Sequence, residues 1–147
     1  MRGDRSSSVG RLAAQTLGLI FVAGAVIVAP RLTEGYGALQ WVRFHSRLVG
    51  AFHGADHARR AGHSAARVVD LVAPLPWARE ASGLALEAAQ SLGARNAASA
   101  AAVYLEVRGA LDRAQSSSVR GYGIEDVAAR ARRLDDEGRQ KASEAAP

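Results

Sequence analysis

The stretch LAAQTLGLIFVAGAVIVA, from Leu12 to Ala29, decides how the rest of the chain is interpreted, because it contains no charged residue. Arg11 and Arg31 stand close to its two ends. Eighteen helical residues at about 1.5 Å each reach roughly 27 Å, close to the hydrocarbon core of a bilayer at about 30 Å. The stretch therefore predicts a transmembrane anchor over residues 12–30, preceded by a basic N-terminal tail over residues 1–11.

A cleaved secretory signal is the main alternative to this anchor. The basic start and the small residues Ala23-Gly24-Ala25 fit a signal peptide that is cut near Ala25. However, the apolar run continues through residues 26–28, and a cut after Ala29 would leave Pro30 at the first mature position. We therefore favour an uncleaved anchor. The arginine- and serine-rich start also resembles an organellar transit peptide, although Asp4 and the short length fit that class less well.

The arginines around the anchor indicate its orientation. Three arginines precede the stretch, and within ten residues only Arg31 follows it. The positive-inside rule then favours a cytoplasmic N-terminus, with the C-terminal region outside the cytoplasm. The predicted localisation is a single-pass membrane protein.

The composition after Ala29 favours helices with little bulky core. Alanine supplies 32 of the 147 residues, whereas Phe, Trp and Tyr together supply eight. Alanine has the highest helix propensity but buries little area. The chain also lacks cysteine, which excludes disulfides, zinc–thiolate sites and thiol catalysis. We predict an all-α fold in which amphipathic and alanine-rich helices, loosely packed or extended, follow the transmembrane helix.

The net charge of +5 lies entirely in the first half of the chain. Residues 1–73 carry nine arginines against four acidic residues, whereas residues 74–147 carry ten basic and ten acidic residues. This distribution favours a membrane surface as partner and argues against a nucleic-acid partner.

Proline, glycine and serine positions divide the rest of the chain. Pro30 and Gly35-Tyr36-Gly37 predict a break after the anchor, and Pro74-Leu75-Pro76 predicts a second break. The predicted segments are a basic amphipathic helical region at 38–73, a long alanine-rich helix at 77–115, a linker at 116–123, a short amphipathic helix at 124–135 and a disordered tail at 136–147.

An aromatic stripe lies on the first helix after the anchor. At 100° per residue, Trp41, Phe44 and Phe52 fall within about 60° of Leu48. Such a stripe after an anchor fits an interfacial helix with arginines at the headgroups, and it equally fits packing on another helix of this chain or of a partner. The predicted membrane-interface residues are Arg11, Arg31, Trp41, Arg43, Phe44, Arg47, Leu48 and Phe52.

The histidines offer the only arrangement with metal-ligand spacing. His53 and His57 are four residues apart, so their imidazoles would share one face of a helix, and Asp56 lies between them. A third ligand would have to come from Asp56, His63 or a second chain. We therefore predict no metal site, no cofactor and no catalytic residue, and keep His53, Asp56 and His57 as the candidates for a metal- or haem-binding alternative.

The sequence as a whole predicts a non-enzymatic, membrane-anchored helical protein. Its expected role is that of an accessory, scaffold or interaction subunit of a membrane complex. The expected partners are the lipid bilayer and a second protein or a second copy of this chain. The alternative is a secreted or periplasmic helical binding protein released by cleavage near Ala25.

Overall fold

The computed structural model describes residues 5–52, 54–93, 95–117 and 123–144, with side chains from residue 15 onward. Within these residues the chain forms five α-helices and no strand, which confirms the all-α prediction. The helices are α1 (Arg5–Phe52), α2 (Ala55–Val72), α3 (Pro76–Gly93), α4 (Ala97–Gln115) and α5 (Glu125–Glu144). The chain divides into two units, residues 1–33 and residues 34–147.

The second unit is built around contacts among its helices. Helix α2 packs against α3 and α4, and α4 packs in turn against α3 and α5. The C-terminal part of α1 buries Leu39, Val42 and Val49. The interior consists mainly of alanine and valine, so neighbouring helices approach closely: a Cβ added to Gly62 of α2 would lie 3.0 Å from Val103 Cγ1 of α4. Short helix-to-helix distances thus replace large side chains in this core.

The predicted helix break at Pro30 and Gly35-Tyr36-Gly37 is wrong, because α1 includes all four residues. Pro30 lacks a backbone N–H and so removes one hydrogen bond of the helix, a loss that α1 tolerates. Gly35 is buried, and a Cβ added there would lie 3.0 Å from Val72 Cγ2. Its missing side chain makes room for α2 and does not end α1.

The predicted long helix at 77–115 is two helices, and the region at 38–73 is also divided. The helix predicted at 77–115 is interrupted at Asn96. The side-chain Oδ1 of Asn96 accepts a hydrogen bond from the Ser99 backbone N–H at 3.0 Å, which caps the start of α4. Gly54 occupies the N-cap position of α2, directly before Ala55. The break at the Pro74-Leu75-Pro76 motif is confirmed, and Pro76 opens α3, where its missing N–H costs nothing.

The C-terminal helix is longer than predicted. Helix α5 runs from Glu125 to Glu144. It replaces the short helix predicted at 124–135 and the disorder predicted at 136–144. Residues 145–147 of the predicted tail lie outside the described residues. Asp135 is buried and bonded to Arg108 of α4, which ties this charged segment to the bundle. The predicted linker at 116–123 includes residues 118–122, which also lie outside the described residues, and ends at Gly123 with φ of +80°.

Candidate functional site

The apolar segment of the first unit exposes the large side chains that the structure describes. From Leu17 to Val28, every leucine, isoleucine, valine and phenylalanine is at least 49% exposed, and Phe21 reaches 78%. Among the described residues, one helical stretch, Gln15–Phe52, is long and apolar enough to cross a membrane, with a mean hydropathy of 1.8 in its most apolar 18-residue window. None of that window is buried.

The predicted aromatic stripe forms an exposed face in the second unit. Trp41, Phe44 and Phe52 are 57%, 51% and 72% exposed, and Leu48 is half-buried. We call these four residues the aromatic face. The buried stripe of this helix is its neighbour, formed by Leu39, Val42, His45 and Val49. The three aromatic side chains thus remain at least half exposed in this unit.

The arginines predicted at the membrane interface differ in their surroundings. Arg43 is neutralised by Glu80 of α3, with Nε and Nη2 each 2.7 Å from Oε1. Arg47 and Arg31 are exposed, and neither forms an ion pair with any described residue. The side chain of Arg11 lies outside the described residues. Of the predicted interface arginines beside the aromatic face, Arg43 is thus paired with a carboxylate, whereas Arg47 has no described carboxylate within 4 Å.

The histidines form a pair other than the predicted one. Nδ1 of His57 lies 3.0 Å from Nδ1 of His45, and the two rings are inclined by 28° with their centroids 5.3 Å apart. The indole of Trp41 stacks on the His45 ring with their centroids 5.4 Å apart. His53 lies outside the described residues, and Asp56 is exposed. Among the described residues no group of three or more histidine, cysteine or acidic side chains is placed to hold a metal ion.

The environment of His45 favours its neutral form. Burial is the main cause that lowers its pKa, and the charges of His57 and Arg60 lower the pKa further. A bond between two Nδ1 atoms needs one of them unprotonated, as donor and acceptor must differ. Burial, the two neighbouring charges and the hydrogen bond to His57 therefore all disfavour protonation of His45.

A basic notch lies next to this histidine pair, between α1, α2 and α4. The notch has a volume of about 540 Å³. It is lined by Trp41, His45, Arg59, Arg60, His63, Ser64 and Glu106. We refer to this set as the basic notch. Glu106, the carboxylate among these lining residues, is 2.9 Å from His63 Nδ1. Sequence reasoning missed the notch because its residues come from three helices, and the sole signal was the adjacent pair Arg59-Arg60.

Most arginines of the second unit are paired with carboxylates on other helices or one turn away. Within the described residues, eight arginines lie within 4 Å of an aspartate or glutamate oxygen. They are Arg43, Arg67, Arg79, Arg108, Arg113, Arg130, Arg132 and Arg139. This pairing sets apart the arginines that lack a carboxylate.

A second concave surface lies between α3, α4 and α5. It measures about 720 Å³ and is lined largely by alanine and glycine, with Tyr104 at its base and Glu137 and Lys141 among its polar residues. Burial raises the pKa of Tyr104, and the negative charge of Glu137 raises it further. The concave surface arises because small residues line the facing helices α3, α4 and α5. Its described lining contains no cluster of side chains that suggests a particular chemistry.

The fold and these surfaces define an all-helical protein with an exposed apolar helix at its N-terminus and a small-residue bundle. Comparison of the chain with protein-family models, with curated proteins and with solved structures finds no match. The basic notch and the aromatic face are adjacent, because Trp41 belongs to both.

Proposed function

We propose that this chain is a non-enzymatic, single-pass membrane protein whose helical bundle binds a second protein chain through the aromatic face. The observation that carries the proposal is the complete exposure of the uncharged segment at 12–29 as far as its side chains are described. Its leucine, isoleucine, valine and phenylalanine side chains supply roughly −3 to −5 kcal/mol on membrane-insertion scales when placed centrally. A bilayer removes these side chains from water.

The aromatic face supports the interaction part of the proposal. Large aromatic side chains supply much of the binding energy at protein interfaces, and they are depleted from surfaces that remain in water. Trp41 and Phe44 make an edge-to-face contact at 5.9 Å, so they present one preformed apolar surface. Since α2 to α5 leave this surface uncovered, we assign it to a partner chain, and an accessory or scaffold role follows.

Membrane retention tests the anchor. We expect the full-length protein to stay in the membrane pellet after high-salt and alkaline washes, and to become extractable in the variant Leu19→Lys/Val22→Lys, because each central lysine costs about 2.5–3.5 kcal/mol. Leu105→Lys, the same change at an exposed leucine of α4, serves as the control and should remain in the pellet. Recovery of the wild type in the soluble fraction would contradict the proposal.

N-terminal sequencing of the mature protein separates the anchor from the cleaved alternative. A mature chain that begins at Val26 would identify a secreted or periplasmic helical binding protein. A chain that retains Met1 or Arg2 excludes that alternative.

Site-specific photo-crosslinking tests the aromatic face. A benzoylphenylalanine placed at Phe44 should give a discrete adduct in membranes, whereas the same group at Leu105 should not. The mass of the adduct distinguishes a second copy from a different protein. Equal crosslinking at both positions, or none at Phe44, would overturn the assignment of the aromatic face.

A further inference from the structure

We propose that the basic notch binds a phosphate group, carried by a lipid headgroup when the protein is in its membrane. The choice of lipid rests on the proposed function, whereas phosphate binding rests on the notch alone. The notch residues were not among those predicted to contact lipid, apart from Trp41.

The first argument is the charge imbalance of the notch. Arg59 and Arg60 are adjacent in α2, both line the notch, and neither lies within 4 Å of a described carboxylate, unlike the eight paired arginines of this unit. Glu106, the acidic residue in the lining, is engaged by His63. Two arginines therefore line one open volume whose single described carboxylate, Glu106, is already bonded to His63.

The second argument is the geometry of the guanidinium groups. Arg59 Nη2 donates to the hydroxyl Oγ of Ser99 on α4 at 3.1 Å, which fixes one edge of this side chain and leaves other N–H groups available. Arg60 makes no hydrogen bond with a described residue. Guanidinium forks match the spacing of phosphate oxygens, and charge-assisted bonds of this kind are stronger than neutral ones.

The third argument is the apolar wall beside these charges. Trp41 contributes an exposed indole ring, stacked on His45, at the edge of the same volume. An indole next to a cationic pocket suits an amphiphile, because the ring can contact acyl or glycerol carbons while the arginines hold the phosphate. A volume of about 540 Å³ accommodates a headgroup phosphate with its neighbouring carbons.

The experiment uses the full-length protein in non-ionic detergent, on a Trp77→Phe background in which Trp41 is the single tryptophan. Trp41 fluorescence is followed during titration with inorganic phosphate, with dihexanoyl phosphatidic acid and with dihexanoyl phosphatidylcholine. We expect a saturable change with inorganic phosphate and with phosphatidic acid, with about tenfold tighter binding of phosphatidic acid, and no saturable change with the zwitterionic lipid.

Two charge-matched variants identify the residues that bind. Arg59→Gln/Arg60→Gln should weaken binding at least about tenfold through loss of charge-assisted bonds. Arg95→Gln/Arg133→Gln removes two exposed arginines elsewhere and should weaken binding less than about twofold. Arg60→Gln alone breaks no hydrogen bond with a described residue and reports on the notch even if the double variant unfolds.

The outcomes are distinct for the two proposals. Absence of saturation with either phosphate probe, or equal weakening in both double variants, overturns the phosphate site. Equal affinity for inorganic phosphate and phosphatidic acid supports the site but overturns a lipid as its source. Extraction of the wild type by an alkaline wash overturns the membrane proposal without affecting the result for inorganic phosphate.

Discussion

Nη1 of Arg108 in α4 donates a hydrogen bond at 2.6 Å to Oδ2 of Asp135 in α5, a carboxylate in a residue that is only 3% exposed. Arg139 approaches the same oxygen at 2.9 Å from the following turn, and Arg108 also reaches Asp136 at 3.1 Å. The hydrogen bond to Asp135 is the main cause that raises the pKa of Arg108. This network holds a charged helix, poor in apolar residues, against the bundle.

Removal of the buried carboxylate should loosen α5. Asp135→Ala leaves Arg108 without its closest partner, so we expect the free energy of unfolding to fall by about 2 kcal/mol. Chemical denaturation followed by circular dichroism measures the change. Asp136→Ala, at an exposed neighbour in the same network, is the control, with an expected change below about 0.5 kcal/mol. Equal effects of the two substitutions would contradict a special role for Asp135.

Ser82→Ala should stabilise the protein. The Ser82 hydroxyl is fully buried in α3, and its Oγ atom has no hydrogen-bond partner among the described residues. A buried hydroxyl without a partner is costly and alanine has the higher helix propensity, so a gain of about 1 kcal/mol is expected. Ser91→Ala is the matched control on the same helix, because the Ser91 hydroxyl already donates to the Ala88 carbonyl at 2.8 Å. A loss of stability in Ser82→Ala would show that this hydroxyl is satisfied in solution.

The contact between α2 and α4 should be intolerant of side chains at Gly62. Gly62→Leu would drive a branched side chain into Val103, and we expect a loss of about 2 kcal/mol by overpacking. Gly83→Leu introduces the same side chain in α3 at a position where an added Cβ meets nothing within 4 Å. That control should gain up to about 1 kcal/mol from helix propensity. Similar thermal shifts for the two variants would mean that α2 and α4 are farther apart than described.

The His45–His57 pair should make stability depend on pH. The pKa of His45 lies below its ordinary value of 6.5 in the folded state, mainly because of burial. The unfolded chain therefore takes up the proton first as the pH falls below about 6.5, and the free energy of unfolding decreases until the pH passes the lowered pKa. His45→Gln should flatten this part of the profile. A variant profile parallel to that of the wild type between pH 7 and pH 5 would exclude His45 as the cause.

The helix boundaries illustrate which local signals can be interpreted from sequence. The motif Pro74-Leu75-Pro76 ends one helix and starts the next, because each proline restricts its own backbone and that of the residue before it. Gly93 and Asn96 carry an equally local signal, a C-terminal glycine followed by a capping asparagine, which divides the predicted single helix at 77–115. These capping residues locate the break between α3 and α4.

Other features depend on tertiary contacts that no local pattern contains. Gly35 stays within α1 because Val72 packs against it, and α5 extends beyond residue 135 because Asp135 finds Arg108. The periodicity around Leu48 identified an apolar face correctly, but the bundle buries the neighbouring stripe that includes Val42 and Val49. Small and branched side chains fit against alanine-rich helices, whereas indole and phenyl rings do not. The pairing of His45 with His57 joins two helices and was equally invisible.

The alanine- and valine-rich interior has a thermodynamic consequence. Of the described aromatic side chains only Tyr104 is buried, so unfolding hydrates less apolar surface per residue than it does in a bundle filled with leucine and phenylalanine. The heat-capacity increment of unfolding grows with the apolar area that becomes hydrated. The curve of stability against temperature should therefore be shallow, with a broad thermal transition and little loss of stability in the cold.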